Sequence, residues 1–584
     1  MNEQKYVSPA PSPYNPAQDP SAPPTPPVTP HPAATPITQE QYEALMGKPK
    51  NQFPLGKGDT AFAVCGVIVC VFAMVCGLFG GMALGYAATV VAMMALLGIY
   101  LGRGGQLTPL TAVSGLLAVS LSAVFVTTTN GSVRFFATVV GFLLALCCFH
   151  TLTVGKTAGN RQTAGIFITA AATMGNIGTG VKSLFSGENG EKKSIGKVLI
   201  GLACALPLLA VILPLLISSD YAFKGLMDTL FDNVAGTIAK TLLGVGLTFP
   251  LIGYAFSLKH RRVYSLGESR FGGIEGVYIL SFLSVISVIY LLYLFSQLAY
   301  FFSAFRGFLP EGDITVAQYA RKGFFEMCVI AVINLTLVVA AMLLAKKKDG
   351  KVSHPIKAIC SFISAFTLII IATALSKMVL YIGSFGMTVL RLTTSAFMVF
   401  LAVVFLALIL RIYVHRINVI KTALLTAGVI LLTLGVCNVN TVCARYNYEA
   451  WKNGNLEEID VAAMYELGDE GIPYVVKLAE CDDQEIAYEA EMRLADAFVW
   501  DYFEYTGDLV TPELKDVKAM EENTGFSYYS IPRARAYRCL YGYFEDHPQF
   551  VLNTWPEEEE YDYDEDYSED DYDSYTEEDT VYYE

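Results

Sequence analysis

Apolar runs of about twenty residues follow one another along most of this chain, and few folds can accommodate them. An α-helix needs about 20 apolar residues to cross a hydrocarbon core of roughly 30 Å. The runs are continuous rather than short and alternating, which favours helices over barrel strands. Charged residues make up only 16% of the 584 residues, whereas soluble domains carry about 25%. The sequence therefore predicts an all-α fold, a polytopic transmembrane helical bundle.

The predicted bundle has about eleven spans. The Gly-rich stretch from Thr163 to Phe185 is less apolar, and we interpret it as an interfacial or re-entrant helix. The predicted spans are 60–80, 82–101, 108–127, 133–153, 198–218, 241–258, 277–299, 323–345, 356–380, 391–412 and 420–440.

Lysine and arginine are distributed unevenly among the connections between these spans. Short cytoplasmic loops of membrane proteins collect positive charge. Every second connection, beginning with the one that holds Arg103, is basic, whereas the others hold few cations, such as Arg134 and Lys224. This alternation predicts an odd number of spans, a cytoplasmic N-terminus and an extracytoplasmic C-terminus.

Composition also divides the chain into tails, membrane segments and a C-terminal domain. The Pro-rich residues 1–58 cannot bury enough apolar surface to fold, so they are predicted to be a disordered cytoplasmic tail. From Glu557 to Glu584 there are 16 acidic residues and no lysine or arginine, which argues against nucleic acid as a partner. The remaining predicted segments are four spans in 59–154, a basic cytoplasmic connection in 155–197, seven spans in 198–443, a small helical extracytoplasmic domain in 444–555 and an acidic disordered tail in 556–584.

Most of the twelve cysteines lie inside apolar runs, where they act as small hydrophobic residues. Cys481 and Cys539 lie outside the spans, and the sequence allows either a disulfide between them or two free thiols. The six histidines are scattered without ligand spacing. The chain has no Walker A loop, H-E-x-x-H or G-x-S-x-G motif. We therefore predict no metal, cofactor or catalytic residue; the missing motifs favour a protein that is not an enzyme and leave an enzyme as an open alternative.

Charged residues near the predicted extracytoplasmic ends of the spans form a candidate polar site. Ionisable groups at membrane depth are costly, so each needs an explanation. They could form ion pairs or extend to the interface, bind an anionic lipid headgroup or small solute, or take part in catalysis. Glu326 is predicted to pair with Lys377 or Arg391 on a neighbouring helix. Asn334, deeper in the eighth span, is predicted to make an interhelical hydrogen bond. The candidate residues are Asp220, Arg321, Glu326, Lys377 and Arg391.

Three stretches of the chain resemble one family. They are Ala299–Pro310 (AYFFSAFRGFLP) with Ala317–Glu326 (AQYARKGFFE), Val379–Thr393 (VLYIGSFGMTVLRLT), and Tyr446–Trp451 (YNYEAW) with Gly471–Val475 (GIPYV). Together they resemble a bacterial multi-pass membrane family known as the domain of unknown function numbered four-one-seven-three, with a sister family numbered four-one-five-three. The resemblance covers roughly residues 195–540 and leaves the first four spans outside. It implies a bacterial plasma membrane and no particular reaction.

These observations favour a non-enzymatic envelope protein that displays its C-terminal domain for sensing or interaction. The alternatives are a secondary transporter or lipid-handling permease that uses the charged site, and a membrane enzyme acting on a lipid-linked substrate through Glu326. The expected partners are membrane lipids, an anionic lipid or small solute at the charged site, and another envelope protein.

Overall fold

A computed structural model describes residues 56–79, 81–154, 234–260, 273–305, 324–346, 352–414, 416–506 and 525–547, with isolated positions between 163 and 212. Within these ranges the secondary structure is helical, apart from a bridge between Ile274 and Ala345. The helices of the bundle are α1 (Lys57–Phe72, continued by a π-helical turn, Ala73–Leu78), α2 (Leu84–Gly102), α3 (Pro109–Ser122), α4 (Val124–Thr127), α5 (Gly131–Val154), α6 (Val234–Lys259), α7 (Gly276–Phe305), α8 (Phe324–Leu344), α9 (His354–Phe385), α10 (Val389–Tyr413) and α11 (Val419–Val436).

Ten candidate spans lie in the described part of the chain, each long and apolar enough to cross a membrane. Each coincides with a predicted span, and α3 and α4 together form the third one. The all-α polytopic bundle is therefore confirmed, and the chain is a multi-pass membrane protein. The span predicted at 198–218, almost all of the helix predicted at 163–185 and both predicted tails lie outside the described residues.

Contacts between helix ends define two faces of the bundle. We name the face where α1 begins the proximal face and the face where α1 ends the distal face. Lys259, the last residue of α6, pairs with Asp59 in the first turn of α1, so α6 ends at the proximal face. Near the start of α6, Lys240 Nζ donates to the carbonyl of Phe79, 3.5 Å away, beyond the end of α1. Helix α6 therefore runs from the distal to the proximal face.

The end of α5 lies at the proximal face as well. The carbonyl of Leu152 accepts from the amide of Gln106 at 2.8 Å, just beyond the end of α2. The end of α2 lies at the proximal face too, as shown by Tyr100, whose hydroxyl donates to Asp59 at 2.7 Å. The described chain thus stops at the proximal face after α5 and resumes at the distal face before α6.

The buried side chain of Asn334 is bonded to two neighbouring helices. Asn334 in α8 is fully buried. Its carbonyl oxygen accepts from Tyr290 Oη of α7 at 2.6 Å, and its amide donates to Thr367 Oγ1 of α9 at 2.9 Å. Such pairs satisfy groups that would otherwise face hydrocarbon. The predicted interhelical hydrogen bond of Asn334 is confirmed.

Beyond α11 the chain forms a C-terminal domain of short helices. Its core is made by buried apolar residues of five helices, among them Val475, Leu494 and Phe544. The first helix after the last span begins at Val439, and the first of its residues in this core is Ala444. The helices of the domain are α12 (Val439–Lys452), α13 (Val461–Tyr465), a 3-10 turn (Gly468–Glu470), α14 (Ile472–Ala479), α15 (Gln484–Thr506) and α16 (Ile531–Asp546).

Because of Tyr543 in this core, the stability of the domain is expected to fall at alkaline pH. Its hydroxyl donates to Glu491 Oε1 at 3.1 Å. Burial first, and the neighbouring Glu491 carboxylate second, raise the pKa of Tyr543 above its usual value. A raised folded pKa gives stability that is complete below the unfolded pKa of about 10 and declines as the pH rises above it.

We therefore expect ionisation of Tyr543 to lower the stability of the domain as the pH rises above about 10, by less than the limiting slope of about 1.4 kcal/mol per pH unit because solvent screens part of the interaction. Thermal unfolding of the purified protein between pH 9 and pH 11 measures this loss. Tyr543→Phe has no ionisable hydroxyl at this position and should lose less stability over the same range. Equal losses in the two proteins would contradict the assignment.

Candidate functional site at the junction of bundle and C-terminal domain

The loop between α4 and α5 at the distal face is fixed by Arg134, one turn into α5. Its guanidinium donates to the carbonyl of Thr128 at 2.7 Å and to that of Phe125 at 2.9 Å. These carbonyls lie at the end of α4, where a helix leaves its last acceptors unpaired and favours a positive charge. Arg134 therefore holds Thr128–Asn130 in one conformation and presents their donors toward the C-terminal domain.

Glu470 of the C-terminal domain enters this loop. It is only 3% exposed, although it is a carboxylic acid at the end of a surface 3-10 turn. Its Oε1 accepts from the amide of Thr129 at 2.7 Å and from Thr128 Oγ1 at 3.2 Å. The Thr129 hydroxyl donates to Oε2. Three donors from one membrane-side loop thus converge on a side chain that lies more than 300 positions later in the sequence.

Two asparagines after the last span complete the set of donors around Glu470. Asn438 Nδ2 donates to Oε1 at 3.1 Å and Asn440 Nδ2 to Oε2 at 3.5 Å. Asn130 joins the loop directly to the same segment, because its amide donates to Asn440 Oδ1 at 2.9 Å. Arg134 adds a favourable charge interaction with Glu470. We call Thr128–Asn130, Arg134, Asn438, Asn440 and Glu470 the junction.

Asn438 also determines how the chain leaves the membrane bundle. Its φ of 55° lies in the left-handed region, which asparagine tolerates better than most residues with a side chain. Its Oδ1 accepts from the amide of Thr441 and caps α12, while Nδ2 also donates to the carbonyl of Thr127 at 2.7 Å. The Asn438 side chain therefore caps the start of α12, directly after the last span, and also bonds to the last residue of α4.

The C-terminal domain contacts the distal face at two further loops. Asn447 of α12 accepts from the amide of Met387 at 2.6 Å and donates to its carbonyl at 2.9 Å, between α9 and α10. The carbonyl of Tyr529 accepts from the amide of Leu84 at 3.1 Å, at the start of α2. Together with the junction, these contacts fasten one domain to three separate loops of the bundle.

A carboxylate has about four lone-pair positions, and Glu470 accepts from five donor groups. A general acid or base must reach a substrate proton, whereas these oxygens are already engaged within the protein. The geometry therefore supports a structural role for the junction. In the described ranges, no group of three His, Cys, Asp or Glu residues is placed to hold a metal ion.

The predicted polar site is described only in part. Asp220 and Arg321 lie outside the described residues. Glu326 is exposed in the first turn of α8, and Lys377 is partly buried in α9. Arg391 donates to the carbonyls of Phe385 (2.9 Å) and Gly386, and its guanidinium carbon lies 4.1 Å from the centroid of the Tyr381 ring. Arg391 thus caps the end of α9, and its pairing with Glu326 stays a prediction.

Cys481 and Cys539 are both free thiols in the structure. Cys481 Sγ lies 3.5 Å from the carbonyl of Asp483.

Sequence reasoning missed the junction. Arg134 was one available signal, because a lone arginine in a cation-poor connection needs acceptors. The polar run Thr127–Asn130 and the pair Asn438 and Asn440, both at span ends, were another. Neither signal identifies Glu470 as the common acceptor.

A second polar site was also missed, at the proximal face. Asp59 is 2% exposed, with Tyr100 and Lys259 on one oxygen and the amide of Gly56 on the other at 2.6 Å. The rings of Tyr100 and Phe62 stack with centroids 3.9 Å apart, and Lys259 Nζ lies 4.6 Å from the centroid of Tyr100. This proximal cluster joins the ends of α1, α2 and α6.

Comparison with known families gives a match to the model described as a domain of unknown function, DUF4153, over residues 88–478. The matched region is more than half of the chain. The protein belongs to the DUF4153 family. The match does not confirm the resemblance to the family numbered four-one-seven-three, or the relationship suggested between the two. No curated protein and no solved structure matches the chain.

The DUF4153 match also has a different extent from the predicted resemblance. It begins within α2, so it includes the third and fourth spans, which the resemblance left outside. It ends at Leu478 in α14, and all residues of the junction lie within it. The proximal residues Asp59 and Phe62 precede the match, and the segment around Tyr529 follows it.

Proposed function

We propose that this DUF4153 protein is a non-enzymatic envelope protein that displays its C-terminal domain for sensing or interaction with another envelope protein. The observation that carries the proposal is the junction, where a buried carboxylate of the domain is bonded to loops of the bundle. Membrane helices that hold a small domain at three loops form a platform for that domain.

The chemistry of the polar groups supports a platform rather than an enzyme or a permease. Glu470 has its oxygens engaged by donors of the protein, and Arg391 is bonded to the carbonyls that end α9. Arg391 is one of the cations that the sequence predicts to bind an anionic lipid or a small solute. Its bonds to these carbonyls support a local structural role instead.

The proposed orientation places the proximal face in the cytoplasm of a bacterium and the distal face outside its plasma membrane. The charge alternation supports this choice. Arg103 and Lys259 lie at the proximal face, on connections that the sequence predicts to be cytoplasmic. Arg134 and Arg391, which belong to the distal face, are engaged with carbonyl groups of the protein.

Reporter fusions and in-cell photo-crosslinking test display and interaction separately. A reporter fused after residue 547 should be active outside the membrane, and one in the connection after Lys259 should be active in the cytoplasm. A photoreactive residue at Tyr488 or Met492, both exposed on α15, should give a discrete adduct with an envelope component. The same group at the buried Tyr474 should give none.

A cytoplasmic reporter after residue 547 would overturn the display of the domain. An extracytoplasmic reporter without any adduct at Tyr488 or Met492 would contradict interaction through α15.

A further inference from the structure

A short segment that runs into the first residue of α16 carries several exposed apolar side chains. Phe526, Tyr528, Tyr529 and Ile531 are 55%, 45%, 40% and 53% exposed. Exposed aromatic rings so close together are unusual on a small water-facing domain, which gains stability by burying them. We call these four residues the aromatic segment.

Contacts with the bundle fix the position of the aromatic segment along the membrane normal. The carbonyl of Tyr529 accepts from the amide of Leu84, the first residue of α2, at 3.1 Å. The ring of Tyr528 lies over Gly81, where an added Cβ would be 2.3 Å from the ring. Ser527 approaches Gly85 in the same way, with its Cα 3.2 Å from the position of an added Cβ. The segment therefore lies at the level at which α1 ends and α2 begins.

The neighbouring surface of the bundle is apolar and continues into the spans. Leu78, at the end of the first span, is 42% exposed, and Phe79 after it is 49% exposed. Lys240 Nζ lies 5.9 Å from the centroid of the Phe79 ring. Aromatic rings and lysine amines at span ends are typical of the membrane interface, where rings lie at headgroup level and the amines reach toward water.

From this geometry we propose that the aromatic segment inserts into the interfacial region of the lipid leaflet at the distal face. Its occupant is the bilayer itself, because the exposed rings continue the apolar surface of the first span at the same depth. The insertion gives the C-terminal domain a contact with lipid in addition to its contacts with the loops. The proposal goes beyond display for interaction and does not depend on which face is outside the cell.

Quenching of a single tryptophan by brominated lipid tests the insertion. In the full chain, Trp451, Trp500 and Trp555 are replaced by phenylalanine, and Phe526→Trp supplies the probe. The protein is reconstituted in phosphatidylcholine and phosphatidylglycerol vesicles with bromine high on the acyl chains or without bromine. We expect loss of fluorescence in the brominated vesicles. The matched control is Tyr488→Trp, on a helix that packs against α13 and α14 within the domain, and we expect it to retain its fluorescence.

A photoreactive residue at Phe526 in the otherwise native chain provides a second measurement if the tryptophan background does not fold. In the same vesicles it should form a lipid adduct, which the same group at Tyr488 should not form. Unquenched tryptophan at 526 in a folded protein, or crosslinking at 526 only to protein, would overturn the insertion. Because these vesicles contain no cellular partner, the result stands apart from the reporter and crosslinking tests of display.

Discussion

Replacing Glu470 with alanine is expected to lower the free energy of unfolding by about 3 kcal/mol, because it leaves buried donors without an acceptor. The amide of Thr129 and the side-chain amide of Asn438 lie beneath the domain, where water cannot replace the carboxylate without opening the contact. Arg134 would also lose its favourable charge interaction with Glu470. The loss should therefore affect the attachment of the domain to the bundle as well as overall stability.

Two measurements on detergent-solubilised protein separate these effects. Thermal unfolding reports stability, and hydrogen–deuterium exchange reports local opening. Amides of Thr128–Asn130 and Asn438–Asn440 should exchange faster in Glu470→Ala, whereas amides inside α9 should not change. Glu470→Gln should have an intermediate effect, because its carbonyl oxygen still accepts but its NH2 group faces other donors.

Glu466→Ala is the matched control, because it removes the same charge from an exposed position four residues earlier. It should leave both measurements almost unchanged, as most exposed substitutions alter stability by less than about 0.5 kcal/mol. If Glu466→Ala and Glu470→Ala have equal effects, the junction does not hold the domain. Unchanged exchange at Thr128–Asn130 in Glu470→Ala would lead to the same conclusion.

The sequence predicts the membrane bundle well because a span is a local property of the chain. A run of about twenty apolar residues is long enough to cross the hydrocarbon core whatever its neighbours are. The buried Asn334 was predictable for a related reason, since hydrocarbon offers it no partner except another helix. Helix positions and one type of polar contact could thus be inferred without knowing which helices are neighbours.

The junction could not be predicted, because it depends on which distant segments meet. Glu470 lies in a short acidic turn, Gly468–Glu470, that looks like an ordinary solvent-exposed turn. Only the packing of the domain on the bundle brings Thr129 and Asn438 to its carboxylate. Arg391 shows a related limit: its charge and depth were visible in the sequence, but its hydrogen bonds to carbonyl groups five and six residues earlier depend on how α9 ends.

The proximal cluster should be coupled across the bundle, and a double-mutant cycle measures the coupling. Asp59→Asn keeps the shape of the side chain and removes its charge, while Lys259→Met keeps most of the apolar stem of the lysine. Each single variant should lower the free energy of unfolding by roughly 2 kcal/mol, less than the cost of breaking a fully buried pair, because the Lys259 side chain is 38% exposed. The double variant should lose roughly 1 kcal/mol less than the two single losses added together.

Arg103→Met is the control for charge at the same face, because Arg103 is exposed just beyond the end of α2. It should change stability by less than about 0.5 kcal/mol, and its combination with Asp59→Asn should be additive. Additivity between Asp59→Asn and Lys259→Met would show that the ion pair contributes no coupling. Asp59 would then act through the amide of Gly56 and the hydroxyl of Tyr100 alone, as a cap of α1. Coupling would instead show that the ion pair holds the end of α6 to the start of α1. The proximal cluster would then stabilise the packing of these two helices, as the junction stabilises the packing of the domain on the distal face.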